Sequence, residues 1–148
     1  MNGRYDFFWN TMELCNWDKA GNDDKVLKPV LQYLSQQDDA AIFEFDDLMS
    51  ELLYGLDTKK LAGQCRKVDP KMCDDTFLYS RCAALINGPA YYEKVKQGKE
   101  KNVWTMEFES LLYVPMRAWA LKHHGAVDDY DHVPPLSCET GSNRDGWK

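Results

Sequence analysis

Apolar residues recur along this chain at three- and four-residue intervals, and no stretch of several residues keeps the strict alternation of a half-buried strand. The pattern predicts an all-α protein, a compact single-domain bundle of about six or seven helices. Phe7, Phe8, Met12, Leu14 and Cys15 outline a first amphipathic helix that ends before the turn-forming run Trp17 to Asn22. Val26, Leu27, Val30, Leu31 and Leu34 form the stripe of a second helix. Pro29 lies within it, so that helix either starts near Lys28 or begins at Asn22 or Asp23 and kinks. Ser35 is read as the hydroxyl cap of a third helix, with Asp38 and Asp39 as first-turn acids and Ile42, Phe45, Met49 and Leu52 on its inner face.

Gly55 and Asp57-Thr58 mark a turn, and Thr58 caps a short helix through Leu61 and Ala62. The polar run Arg66 to Lys71 reads as a loop. A fifth helix carries Phe77, Leu78, Cys82, Leu85 and Ile86 on one side and stops at Gly88. Pro89 then opens a short helix with Tyr91, Tyr92 and Val95 on its face. The last helical pattern runs from Phe108 to His123-His124-Gly125, where Gly125 can cap it, and Pro115 kinks or splits it. Periodicity is lost at Ala126. Residues 1–125 are therefore expected to form the helical domain, and 126–148 an irregular acidic and polar tail pinned by Tyr130 or Trp147.

The chain has 148 residues, 44% hydrophobic, which suits one domain with a real core. Its net charge of −6 has the wrong sign for a phosphate-binding face and disfavours nucleic acid as a partner. No run of about 18 apolar residues is present to cross a membrane, and the first residues lack the apolar stretch of a signal peptide, so a cytoplasmic location is expected. Five cysteines without a C-x-x-C pair fit reduced thiols better than a disulfide framework or a zinc site.

The most specific run is Cys73-Asp74-Asp75-Thr76-Phe77-Leu78-Tyr79-Ser80-Arg81-Cys82-Ala83-Ala84-Leu85-Ile86-Asn87-Gly88, followed by Tyr92-Glu93. With Phe8-Trp9, Leu34-Ser35 and Leu52-Leu53-Tyr54 in the expected order, it resembles the bacterial domain-of-unknown-function family number 4240. Lys71-Met72 and Thr76 stand where that family commonly has glycines, and Ala83 where it has tryptophan. The resemblance implies a small helical bacterial domain and brings no reaction with it. By analogy, small acidic domains of this kind suggest a place in toxin and immunity loci.

Asp74 and Asp75 suit a helix N-terminus as a cap and a first-turn acid. With Arg81 they also define the competing reading, a small enzyme or ligand sensor built on an Asp74/Asp75/Arg81 cleft. Neither a metal site nor a cofactor is expected: Asp128-Asp129-Tyr130-Asp131-His132 lacks the spacing of a calcium loop, and adjacent His123 and His124 point about 100° apart on a helix. Cys73 has no histidine near it in sequence to make it a nucleophile. The favoured expectation is a non-catalytic protein that binds another protein, most concretely an immunity protein that neutralises a toxin domain. Its contacts are expected at Asp46, Asp47, Trp17, Asp128, Asp129, Tyr130 and Asp131, where negative charge would steer a basic partner and aromatics would anchor it. Trp147 is a further candidate anchor.

Overall fold

The computed structural model describes residues 3–148, and among these every regular element is helical. Seven α-helices follow one another: α1 (Asp6–Met12), α2 (Asp23–Ser35), α3 (Asp39–Gly55), α4 (Lys59–Val68), α5 (Asp74–Ile86), α6 (Pro89–Lys96) and α7 (Val114–His123). Short 3-10 turns punctuate them, including Trp17–Lys19, Asn102–Thr105, Glu109–Tyr113, Val127–Asp129 and Arg144–Trp147.

The chain divides into two compact units, residues 1–49 with 110–135 and residues 50–109 with 136–148. The division falls inside α3, and it also divides the expected tail, whose two halves belong to different units.

In the first unit α2 packs along α7. Asn22 caps α2 by accepting from the Lys25 N–H at 3.1 Å, so the helix starts at Asp23 and carries Pro29 in its interior. Ser35 caps nothing: its hydroxyl donates to the Gln32 carbonyl at the end of α2, and Asp38 caps α3 by accepting from the Ala41 N–H at 2.9 Å. A carboxylate in that position satisfies an orphan N–H and also complements the helix dipole. Phe8, Val26, Leu27, Val30, Leu34, Ile42 and Phe45 are completely buried here, with the Phe8 and Phe45 rings 5.0 Å apart. Leu14, placed on the first helix by spacing, lies beyond its end and is exposed.

In the second unit Thr58 caps α4, accepting from the Leu61 N–H at 3.2 Å. That helix runs on through Arg66, Lys67 and Val68, which the polar composition had suggested were loop. Basic residues in a last turn favour helix continuation because they face the negative end of the dipole. Every residue of α5 from Phe77 to Ile86 except Tyr79 is buried, so it is the central helix of this unit rather than a one-sided one. Gly88, at φ 94°, turns the chain into α6, and Pro89 opens it.

Pro115 splits the long C-terminal pattern. Residues 109–113 form a 3-10 turn, and α7 begins at Val114 with the proline in its first turn, where its missing N–H costs nothing. The left-handed residue that ends α7 is His124, at φ 53°, rather than Gly125.

Candidate functional site

Two clusters carry the polar chemistry of the chain, one in each unit. In the first unit the segment after α7 is tied back to α3. The Tyr130 hydroxyl donates to Asp46 Oδ2 at 2.9 Å, and His132 Nε2 meets Asp47 Oδ1 at 2.7 Å. The His132 ring stacks on Phe43 with 4.5 Å between centroids and 9° between planes, and Tyr130 packs against Phe43 and Trp119. At the foot of the same helix Asp39 Oδ1 takes Lys122 Nζ at 2.9 Å and His123 Nε2 at 2.8 Å. These partners, Lys122 foremost, hold the Asp39 carboxyl below the usual range. Burial, reinforced by Asp46, pushes the Tyr130 phenol far up, so Tyr130 stays a neutral donor.

The structure thus brings the adjacent Asp46 and Asp47 together with Tyr130, which lies 84 residues beyond Asp46 in sequence. Asp46 is buried at 8% exposure, which makes it a support for the segment rather than a contact surface. Asp128, Asp129 and Asp131 are exposed, on a segment fixed from below by its neighbours. Apolar side chains stand beside them in sequence: Val127 is 42% exposed and Val133 81%. Trp17 sits half-exposed in the 3-10 turn before α2, away from this segment in sequence. His132, Phe43, Trp119 and the Asp39 group were not singled out from sequence as one site. From sequence Asp39 reads as a first-turn acid, His123 as a helix-end residue and His132 as part of an acidic run, none of them as members of one cluster.

In the second unit the centre is Asp57, completely buried. Its Oδ1 accepts from the Gly141 N–H at 3.1 Å and the Trp147 indole N–H at 2.8 Å, and its Oδ2 accepts from the Asn143 N–H at 3.0 Å. The Trp147 indole N–H is thus directed at Asp57, with the residue half-buried. Arg81, also completely buried, donates to the Leu53 carbonyl at 3.0 Å and to Thr140 Oγ1 at 2.9 Å, with its guanidinium 4.6 Å from the centroid of the Phe77 ring. Its Nε has no hydrogen-bond partner. Burial pulls the Arg81 pKa down, and Asp57 is the carboxylate that most offsets it.

Asp74 and Asp75 are exposed in the first turn of α5. The bridge from Arg81 to that turn runs through Thr140, whose hydroxyl donates to the backbone carbonyl of Asp74 at 2.8 Å. The structure does not gather the two carboxylates and the guanidinium into one cleft; the carboxylate that serves Arg81 is Asp57, which from sequence reads only as part of a turn. The N-cap of α5 is Cys73, whose N–H donates to Thr76 Oγ1 at 3.0 Å, and the two aspartates follow it as first-turn acids. Backbone N–H groups of that turn, Thr76 first, lower the pKa of the exposed Cys73 thiol, whereas burial pushes Cys15 and Cys65 up to about 11.

An all-helical chain with a tail fastened at two points is the class that this fold and these clusters define. The chain belongs to the DUF4240 family of proteins of unknown function, whose family model matches residues 4–120. The match takes in α1 to α6 and most of α7, and ends before the segment that carries Asp128 to Asp131 and before the strap over Asp57. No curated protein and no solved structure matches the chain. Among the described residues no helix is long and apolar enough to cross a membrane, and no group of His, Cys, Asp and Glu is arranged to hold a metal ion.

Proposed function

We propose that this is a non-catalytic protein-binding domain of the bacterial cytoplasm, most concretely an immunity protein that neutralises a toxin domain. The observation that carries the reading is the presentation of Asp128, Asp129 and Asp131. Three exposed carboxylates within four residues stand on a segment held by Tyr130–Asp46 and His132–Asp47. A segment fixed in advance loses little conformational entropy when a partner docks. Clustered negative charge raises the association rate with a basic surface, and flanking apolar groups such as Val127 and Val133 add contact area that slows dissociation. In this reading Asp46 and Asp47 position the contact residues, while Tyr130 anchors the segment from beneath.

The test compares the wild type with the triple variant Asp128→Asn, Asp129→Asn, Asp131→Asn in capture from the native cells, followed by stopped-flow association with the captured protein. A stoichiometric basic partner whose toxicity the wild type suppresses, and which the variant binds at least about tenfold more slowly at low salt, supports the reading. A partner bound equally fast by the triple variant at every salt concentration, or the absence of any stoichiometric partner, overturns it.

A further inference from the structure

One feature of the first unit plays no part in that function. Against a chain charge of −6, a groove of about 280 Å³ is lined by Asn16, Lys19, Lys25, Lys28, Pro29 and Gln32. Three lysines, an asparagine and a glutamine are among its lining residues, and no aspartate or glutamate lines it. Lys25, Lys28 and Gln32 fall at i, i+3 and i+7 along α2 and so share one face, to which Pro29 also belongs. Lys19 and Asn16 come from the turn before α2, which is itself held in place: the Asn16 N–H donates to the Val26 carbonyl at 2.9 Å, and Asn16 Oδ1 accepts from the Asp18 N–H.

None of the three lysines is in an ion pair among the described residues. The nearby Asp24 is instead paired with Arg117 at 3.1 Å. Neither Asp24 nor its neighbours Asp18 and Asp23 make an ion pair with the groove lysines among the described residues.

We infer that this groove is a binding site for a small phosphorylated molecule carrying two or more negative charges. Lysines are compact point charges on long stems and bind phosphoryl groups as such, and several of them together favour a ligand that carries more than one negative charge. The groove is at the small end of ligand pockets, so it takes something nearer pyrophosphate than a dinucleotide in size. Asn16 and Gln32 supply neutral donors and acceptors for its polar remainder.

The test is calorimetric titration of the full chain with inorganic pyrophosphate at low ionic strength. One saturable site is expected, weakened about tenfold, or about 1.4 kcal/mol, in Lys25→Gln/Lys28→Gln. The variant Lys99→Gln/Lys101→Gln, which removes the same charge elsewhere, should bind as the wild type does. Circular dichroism confirms that both variants are folded. Absence of saturable binding, equal weakening in both variants, or citrate binding as tightly as pyrophosphate overturns the assignment.

Discussion

Replacing Asp57 by alanine removes one carboxylate that serves three donors. The Gly141 and Asn143 N–H groups and the Trp147 indole lose their acceptor together, and Arg81 loses the carboxylate that most offsets its burial. Hydrogen bonds to a charged acceptor are worth about 1.5–3 kcal/mol each, which summed naively would exceed much of the stability of a domain this size. The sum overstates the loss, because residues 136–148 can peel away and let water serve the three N–H groups. Arg81 has no such escape: it sits at 0% exposure on the central helix. The expected cost is that of about two charge-assisted hydrogen bonds lost outright, about 3–5 kcal/mol. That corresponds to a fall in melting temperature of roughly 6–20 °C for a chain of this length. Urea denaturation followed by circular dichroism measures the loss, and hydrogen exchange at residues 140–147 reports whether the strap has come off. A loss below about 1 kcal/mol with those amides still protected would refute the assignment of Asp57 as the centre of this unit. Asp128→Ala, on the exposed segment of the other unit, should stay within about 0.5 kcal/mol of wild type in the same assay.

Gly146→Ala should detach the strap by a different route, since its Cβ would lie 2.8 Å from the Asp57 carbonyl oxygen; a loss of about 1–3 kcal/mol in urea is expected, and none would contradict the close approach. Acid stability depends on Asp39, whose folded-state pKa lies below its unfolded value. Its contribution is present above about pH 4 and disappears as pH falls through the depressed folded value, so Asp39→Asn should flatten the decline in melting temperature below that point. An unchanged acid slope would show that Lys122 and His123 do not stabilise the carboxylate. Thiol labelling under native conditions should modify exposed Cys73 first, while Cys15, Cys65 and the wholly buried Cys82 react only on unfolding; early labelling of Cys82 would contradict the packing of α5.

Periodicity and turn chemistry in the sequence were enough to determine the helical class, the boundaries set by Thr58, Gly88-Pro89 and Pro115, and the family through the run from Cys73 to Gly88. These signals are local: a cap, a proline or a 3.6-residue stripe acts within one or two turns of the residue that carries it. Where two neighbours compete for the same local role, as Ser35 and Asp38 do, or Gly125 and His124, local chemistry does not choose between them, because only the final backbone path decides which of them takes the helix end. The sequence also flagged Asp46, Asp47, Tyr130 and Trp147 as residues out of the ordinary, without saying that three of them meet or that the fourth directs its indole N–H at Asp57. Asp57 reads from sequence only as part of a turn. Its importance comes from Gly141, Asn143 and Trp147, more than 80 residues away, and from a buried Arg81 that needs a counter-charge. Tertiary structure alone decides such pairings, because the cost of burying a charge depends on which groups are brought around it and not on its neighbours along the chain.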